Sequence, residues 1–370
     1  MATTNFTRLT DEQKTVWSRD LWRQARDKSF IMKFAGNSAD ALFHRVTELT
    51  KTEKGDRAVL TLVAELQEDG IAGDATLEGN EEPIKAYDQV ITIDQLRHAN
   101  RSEGRMAEQK TVVRFRQTSR DVLAYWLADR MDQLAFLTLS GVDYTKTNRG
   151  ASRVGSDLPN LAFAADVTAP SSARHLRWDN SNGLEDGDTS AVASDDKLEY
   201  ATLVEAKAYA NENFIRPIRG EGGIEFYHVF VSPAQMRDLK LDSDYLNAVR
   251  NAMPRDKSNP IWKGTDGILI DGMMIHEYRR VFNTKDATSG ADKWGSGSDV
   301  DGARMLICGA QALGIADLGM PTWVEKEFDY DNQPGISASK IFGFKKPVFP
   351  DVLSQSEEDF GVLAVDTAAA

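Results

Sequence analysis

The residues with the widest chemical repertoire in this chain are its histidines, which can bind a metal or transfer a proton near neutral pH. The five histidines are His44, His98, His175, His228 and His276. None lies four residues after another and the zinc pattern HExxH does not occur, so no local zinc site is indicated. His276 ends a predicted strand and is interpreted as structural. We therefore predict no metal site and no cofactor.

Other patterns typical of enzymes or calcium sites are incomplete. Ser337 and Lys340 have the S-x-x-K spacing of penicillin-recognising enzymes, but the companion S-D-N and K-T-G elements are missing. The acidic clusters at 299–302 and 329–332 lack the glycine and glutamate of a calcium loop, so we predict solvated turns. Cys308 follows apolar residues and is predicted to lie in the core. Since nucleophile elbow, Walker and Rossmann patterns are also missing, we predict no catalytic residues and a protein that is not an enzyme.

Composition indicates a globular protein of 370 residues, 41% hydrophobic and 27% charged. The net charge of −13, from 44 basic and 57 acidic residues, argues against a dedicated phosphate-binding surface. The basic stretch 97–120 is interpreted as a solvated helix face or a contact for acidic protein groups. No apolar run approaches the ~18 residues of a membrane span, so we predict a soluble chain without a membrane partner.

Residue periodicity predicts a mixed α+β protein. Helices are predicted at 11–34, 105–140, 196–213 and 232–240. The first carries Trp17 and Trp22 at helical spacing, and the second would be roughly 50 Å long at 1.5 Å per residue. Strands are predicted at 57–66, 84–96, 226–231, 268–275, 304–309, 314–317, 341–344 and 361–365. Two polar insertions, 141–196 and 283–301, show little periodicity.

The first two predicted strands form a long hairpin with an acidic tip. Ala58, Leu60 and Leu62 fall on one face of the first strand. The tip includes Glu68, Asp69, Asp74 and Glu78. A two-stranded ribbon is at best marginally stable alone in water, and its edges leave backbone groups unpaired. We therefore expect the hairpin to fold back on its own domain or to lie across a second copy, in the head-to-tail contact of a ring or shell.

Seven sequence blocks carry a resemblance to a known family. They are Lys54-Gly-Asp56, Gly70-Ile-Ala-Gly-Asp74, Leu77-Glu-Gly-Asn-Glu-Glu82, Val90-Ile-Thr-Ile-Asp94-Gln-Leu-Arg-His98, Gly309-Ala-Gln-Ala-Leu-Gly314, Ile341-Phe-Gly-Phe-Lys-Lys346 and Asp359-Phe-Gly-Val-Leu-Ala-Val-Asp-Thr367. These blocks resemble the major capsid proteins of N4-like tailed bacteriophages, over about residues 15–368.

The resemblance implies the HK97-type capsid fold, an α+β fold with an N-terminal arm, an extended loop (E-loop) hairpin, a P-domain built on a long spine helix, and an A-domain. The implied division is 1–50 for the arm, 51–104 for the E-loop, 105–214 for the P-domain, 215–320 for the A-domain and 321–370 for the return to the P-domain. The implied function is a major capsid protein that self-assembles from the host cytoplasm into pentamers and hexamers of an icosahedral virion head.

The implied partners are other copies of the chain, a separate scaffolding protein, and portal and decoration proteins. The head would enclose double-stranded DNA without sequence-specific binding. Inter-subunit contacts are predicted for the acidic tip residues Glu68, Asp69, Asp74 and Glu78, for the basic residues Arg114, Arg116 and Arg120 that they would meet, and for Trp17 and Trp22. Two alternatives remain open: an encapsulin-like nanocompartment shell around a cargo enzyme, and a soluble hydrolase with scattered catalytic groups.

Overall fold

The computed structural model describes residues 11–46, 55, 57–63, 66, 69–73, 76, 78–79, 81–110, 114–220, 223–252, 266–350 and 356–369. These residues form two large β-sheets around one long helix, together with smaller helices and a separate hairpin. The predicted α+β class is therefore confirmed.

The helices are α1 (Asp11–Lys28), α2 (Arg105–Lys110), α3 (Phe115–Ser140), α4 (Tyr200–Glu212), α5 (Pro233–Leu241) and α6 (Ser243–Ala252). Two helices, α4 and α5, lie near their predicted positions, whereas α1 is shorter than predicted, the helix at 105–140 is divided and α6 was not predicted. α1 is shorter than predicted because the amides of Phe30 and Ile31 donate to the Asp132 carboxylate instead of continuing the helix. α5 begins as predicted, in a capping box formed by Ser232 and Gln235.

The predicted single helix at 105–140 is wrong, because Arg114 has an extended backbone (φ −80°, ψ 103°) that separates α2 from α3. α3 is the spine helix, and its 26 residues span about 39 Å at 1.5 Å per residue. Gly141 ends it in the left-handed conformation, φ 65°. A side chain there would also lie within 2.6 Å of the Thr168 carbonyl oxygen, so this position requires glycine.

The strands follow the predicted apolar segments but are more numerous. They are β1 (Ala35–Gly36), β2 (Phe43–Val46), β3 (Arg57–Val63), β4 (Ala86–Thr92), β5 (Asp94–Arg101), β6 (His175–Asp179), β7 (Gly183–Asp186), β8 (Ile218–Arg219), β9 (Glu225–Val231), β10 (Asp266–Ile270), β11 (Met273–Glu277), β12 (Gly302–Cys308), β13 (Leu313–Asp317), β14 (Thr322–Phe328), β15 (Gln333–Lys345), β16 (Val348–Pro350), β17 (Glu357–Asp359) and β18 (Val362–Ala368). The strand predicted at 84–96 is two strands with different partners, since β4 pairs with β3 and β5 with β15.

A six-stranded sheet holds the N-terminal segment and the long strand β15. Its order is β1-β2-β13-β15-β14, and β5 pairs with the other edge of β15. α1 packs against both α3 and β14. Residues 11–46 therefore belong to the body of their own chain, and the described part of the predicted arm at 1–50 is not a free extension.

An eight-stranded sheet is covered on both faces. Its order is β10-β11-β9-β12-β18-β6-β7, with β8 paired to β9. Along β12, Leu306 and Cys308 pack toward α3, whereas Met305 and Ile307 pack toward α4, α5 and α6. Cys308 is fully buried, as predicted, and burial raises the pKa of its thiol.

The sheets do not follow all of the predicted domain boundaries. β18 lies in the segment expected to return to the P-domain, yet it pairs with β12 of the predicted A-domain. β6 and β7, from the insertion at 141–196, extend the same sheet through parallel pairing of β6 with β18. β5, expected in the E-loop, belongs to the six-stranded sheet. The hairpin itself is therefore limited to β3, β4 and the residues between them, and the domain division stays a prediction.

A buried carboxylate on α3 fixes the N-terminal segment. Asp132 accepts hydrogen bonds from Ser29 Oγ (2.6 Å), the Phe30 amide (2.9 Å), the Ile31 amide (3.3 Å) and Tyr278 Oη (2.5 Å). Burial raises the pKa of Asp132, while these hydrogen bonds act in the opposite direction. Tyr278 also stacks on Phe30 at 4.1 Å. This carboxylate therefore joins the spine helix, the residues after α1 and the end of β11.

A buried ion pair joins the C-terminus of α3 to the eight-stranded sheet. Arg304 donates to both carboxylate oxygens of Asp366, at 2.7 and 2.8 Å, and to the Ser140 carbonyl oxygen at 2.6 Å. His175 contacts the same carboxylate at 2.7 Å. Burial tends to raise the pKa of Asp366, but Arg304 and His175 together hold it below its usual value.

Candidate assembly surface

The hairpin formed by β3 and β4 is a two-stranded sheet separate from the two large sheets. Its strands pair antiparallel from Arg57 opposite Thr92 to Val63 opposite Ala86. Seven residues at ~3.3 Å each give arms of about 23 Å, shorter than the ~30 Å expected from the predicted strands. The hairpin prediction is confirmed, and the predicted alternation on β3 is confirmed at Ala58 and Leu60, which are buried.

One face of the hairpin packs on its own chain. Ala58, Leu60 and Ile91 form a small core with Ala316 and Phe349. The opposite face is exposed and of mixed polarity. Val59 is 41% and Val63 59% exposed, and between them Thr61 donates to Asp88 at 2.5 Å. Beyond the strands, Leu66 and Ile84 are 62% and 73% exposed. These exposed apolar side chains are candidates for a protein contact.

Polar contacts hold the base of the hairpin in place. Lys345 Nζ donates to the Val90 carbonyl oxygen at 2.9 Å, and Gln89 Nε2 donates to the Val348 carbonyl oxygen. The Thr92 amide donates to Asp166 at 2.9 Å. Each contact joins β4 to a distant part of the sequence, so the base is a fixed point from which the tip projects.

A glycine in β15, Gly343, allows the backbone of β4 to lie close to β15. A Cβ atom on Gly343 would lie 2.1 Å from the Thr92 carbonyl oxygen, which is backbone and cannot move independently. Gly314 on β13 is similarly close to Ile91, at 2.8 Å. Sequence analysis did not assign either residue a role. The sequence did contain a pattern that could have identified Gly343. It is an isolated glycine between Phe342 and Phe344, and such a glycine in a strand typically marks the close approach of another backbone.

The predicted acidic tip is exposed where the structure describes it. Asp69 and Glu78 are both exposed, whereas Glu68 and Asp74 lie outside the described residues. Near the tip, Glu81 accepts a hydrogen bond from the Gly79 amide at 2.8 Å. Neither Asp69 nor Glu78 is brought to a basic residue within the described part of the chain, so both carboxylates face solvent.

The three predicted basic partners differ in their surroundings. Arg116 pairs with Glu325 at 3.0 Å, and Arg120 pairs with Asp121 at 2.9 Å while lying over the Trp17 ring. Arg114 is exposed at the start of α3. Among the described residues Arg114 has no carboxylate within ion-pair distance, so it is the most available of the three to a second copy.

The two tryptophans of α1 are mainly part of the chain's own core. Trp17 is half-buried against Trp323, with ring centroids 5.8 Å apart. Trp22 is 5% exposed, and the ammonium of Lys340 lies 3.7 Å from its ring centroid. The Trp22 ring therefore packs on β15 of its own chain, and its contact with another copy stays a prediction. Lys340 is itself buried and pairs with Asp317 at 2.5 Å.

Two histidines meet where the N-terminal segment packs on the eight-stranded sheet. His228 Nδ1 and His276 Nε2 are 2.8 Å apart, and both residues are 9% exposed. The surrounding rings are Phe30, Phe34, Phe226 and Phe230. Burial, and secondarily His276, lowers the pKa of His228 to about 4. One neutral ring donates and the other accepts, as expected for structural histidines.

Neither a metal site nor a membrane-spanning helix is found in the part of the chain that the structure describes. Groups of three or more histidine, cysteine or acidic side chains that could hold an ion are missing there. Helices long and apolar enough to cross a membrane are missing from the same residues.

Comparison with known proteins gives the family. A profile described as phage capsid protein matches residues 5–370. The chain belongs to the phage capsid protein family. The major capsid protein of Pseudomonas phage KPP25 is 55% identical over 370 residues, which is 99% of this capsid chain and 98% of that protein.

Solved capsid structures share the fold of this capsid chain. A capsid of Ralstonia phage GP4 matches with a TM-score of 0.76 and 28% identity, over 100% of this chain and 95% of that one. The capsid asymmetric unit of cyanophage Pam1 matches with a TM-score of 0.70 and 20% identity, over 100% and 96%.

These findings confirm the predicted capsid family, the HK97-type fold and the function. The chain is a major capsid protein of a phage, a structural component of the virion in a family that is not enzymatic. The N4-like subgroup stays a prediction.

Replacing Gly343 by alanine should displace the base of the hairpin, since the added methyl group would collide with the Thr92 carbonyl oxygen. We expect a loss of roughly 1–3 kcal/mol in the free energy of unfolding, as for other overpacked sites. Urea unfolding of the unassembled chain measures it. The control is Gly297→Ala, whose added atom would meet only the movable Asp299 side chain. Equal stability of the two variants would contradict the assigned contact.

Acid should weaken the fold through His228, because the folded-state pKa of about 4 lies below the usual 6.5. The unfolded chain binds more protons between these values, so stability falls as pH drops from about 6.5 to about 4, by about 3 kcal/mol. Unfolding free energies at pH 7 and pH 4.5 measure this. His228→Gln should show a smaller loss on acidification, whereas the control His44→Gln should retain the wild-type loss. An unchanged pH dependence in His228→Gln would exclude this histidine as the cause.

Proposed function

We propose that this capsid chain assembles into the pentamers and hexamers of an icosahedral phage head that encloses double-stranded DNA. The observation that carries the proposal is the two-sided hairpin, which is fixed to its own chain on one face and exposes Val59 and Val63 on the other. The capsid proteins of phages KPP25 and GP4 are similar over nearly the whole chain.

The exposed face of the hairpin is best covered by a neighbouring copy. Val59, Val63 and Ile84 together present apolar surface whose burial would stabilise a contact at about 25 cal/mol per Å². The chain's own body already packs against the opposite face, so the second face is directed away from it. A projecting element that covers a different surface of the next copy makes a head-to-tail contact, and repeated contacts of this kind close into rings.

Charge provides a second component of the same contact. The tip acids Asp69 and Glu78, with Glu68 and Asp74, would lie near the basic residues at the start of the spine helix of the next copy. Arg114 is the principal partner, because Arg116 and Arg120 already pair with acids of their own chain. Exposed ion pairs contribute little individually, so these charges would orient the contact more than strengthen it.

The division into arm, E-loop, P-domain and A-domain is proposed for this chain with the E-loop centred on the β3–β4 hairpin. A separate scaffolding protein, a portal and decoration proteins are the proposed heterologous partners. DNA would be enclosed without sequence-specific binding, as the net charge of −13 favours a wall that does not adhere to the packed genome.

Deleting residues 67–83 tests the assembly role of the hairpin. We expect soluble, folded chains that do not form closed particles, because the cores around α3 and the eight-stranded sheet lie elsewhere. Negative-stain microscopy detects particles, and thermal unfolding compared with the wild-type chain confirms folding. Normal shells from the deletion variant would refute the role of the hairpin, and a cargo protein in place of DNA in native particles would favour a nanocompartment.

Reversing two tip charges, Asp69→Lys with Glu78→Lys, should lower the yield of particles and reverse the effect of salt on it. The reason is that like charges would then meet Arg114 of the next copy, and salt screens this repulsion. The control reverses two exposed acids elsewhere, Asp195→Lys with Glu212→Lys, at the same change in net charge. Particle yield is measured at low and high salt by sedimentation. Equal yields from both variants would exclude the pairing.

A further inference from the structure

A basic cleft of about 390 Å³ opens beside the start of α5, away from the hairpin. Four cationic residues line it: Arg149, Arg279, Arg280 and Lys285. They come from the loop after α3 and from the segment after β11, so only the folded chain brings them together. The first residues of α5 and one acid, Asp301, complete the wall.

Two of these cations have no counterion. Arg149 pairs with Asp286 at 2.9 Å, Arg280 pairs with Asp129, and Asp301 is held by Lys293 at 2.7 Å. Arg279 and Lys285 are exposed, and the described residues place no carboxylate within ion-pair distance of either. The cleft therefore carries about two uncompensated positive charges in a chain whose net charge is −13.

Arg280, which lines the cleft, also acts on Arg153: burial, and then the charges of Arg130 and Arg280, lowers the pKa of Arg153. Arg280 Nε is also buried without a hydrogen-bond partner. The N-terminus of α5 also lines the cleft, but Pro233 has no N–H and the Gln235 amide already donates to Ser232 Oγ. The cationic side chains, rather than the helix N-terminus, therefore provide the positive charge.

We propose that this cleft is an anion site that binds phosphate groups. The two uncompensated cations match one phosphate dianion or two successive phosphodiesters of a nucleic-acid strand. Guanidinium groups bind phosphate oxygens in paired hydrogen bonds, and the cleft has room for more than one such group. The overall acidity of the chain predicted no phosphate-binding surface, but folding concentrates cations that are dispersed in the sequence.

The test measures binding of inorganic phosphate and of a 12-nucleotide single-stranded DNA to the full chain, by calorimetry at low salt. The cleft variant is Arg279→Ala with Lys285→Ala. The control, Lys197→Ala with Arg250→Ala, removes two exposed cations elsewhere. We expect at least about ten-fold weaker binding in the cleft variant, since each charge-assisted hydrogen bond contributes substantially. We expect less than about a two-fold change in the control. Exchanging the cations, Arg279→Lys with Lys285→Arg, should preserve binding and excludes misfolding as the cause.

The two phosphate sources give different results, and both support the site. Tighter binding of the oligonucleotide than of inorganic phosphate identifies the nucleic-acid backbone as the source. In that case the slope of log binding constant against log salt concentration should be smaller by about 1.4 in the cleft variant, because two phosphate contacts are lost. Binding of inorganic phosphate alone identifies a free anion. Equal loss in the control variant, no binding of either probe, or preferential binding of the acidic peptide corresponding to residues 67–83 would each overturn the proposal.

Discussion

The position of the N-terminal segment depends on one buried carboxylate, Asp132, in the middle of the spine helix. Burying an ionised carboxylate without hydrogen-bond partners is very costly. Burial of Asp132 therefore requires the four hydrogen bonds that it accepts from Ser29, Phe30, Ile31 and Tyr278. They end α1, turn the chain toward β1 and fix the end of β11 against α3. The two sheets are therefore attached to one helix at a defined position, and the charge contributes specificity of arrangement more than net stability.

Apolar residues are buried on both sides of the eight-stranded sheet but on only one side of the hairpin. This difference separates a well-packed body, formed by α3 and that sheet, from a partly exposed hairpin. Both faces of the eight-stranded sheet are covered, and α3 is packed along its C-terminal half. The β3–β4 hairpin receives cover on one face only, through a small core and through a glycine, Gly343, that allows its backbone to approach β15. A capsid subunit needs both properties, because a rigid body keeps its shape in the shell while an uncovered surface provides the energy of assembly.

Three buried cations in the described residues each pair with a carboxylate, whereas the charges proposed to act between molecules do not. Lys340 with Asp317, Lys346 with Asp359, and Arg304 with Asp366 all lie inside the fold, each cation within hydrogen-bond distance of its carboxylate. Asp69, Glu78, Arg114, Arg279 and Lys285 lie at the surface without ion-pair partners among the described residues. The first set keeps strands and helices in register, and the second remains available to ligands and to other copies.

The sequence by itself determined the elements that depend on local pattern. Alternation predicted β3, the Ser232-Pro233 pair predicted the start of α5, and the apolar run around Cys308 predicted a buried strand. Only the tertiary structure decided that residues 105–140 divide at Arg114, that β5 leaves the hairpin to join β15, and that Trp22 is buried by its own chain. Asp132, Gly343 and the basic cleft also emerged only there. Propensity and periodicity act over a few neighbouring residues, whereas these features are set by contacts between segments far apart in the chain.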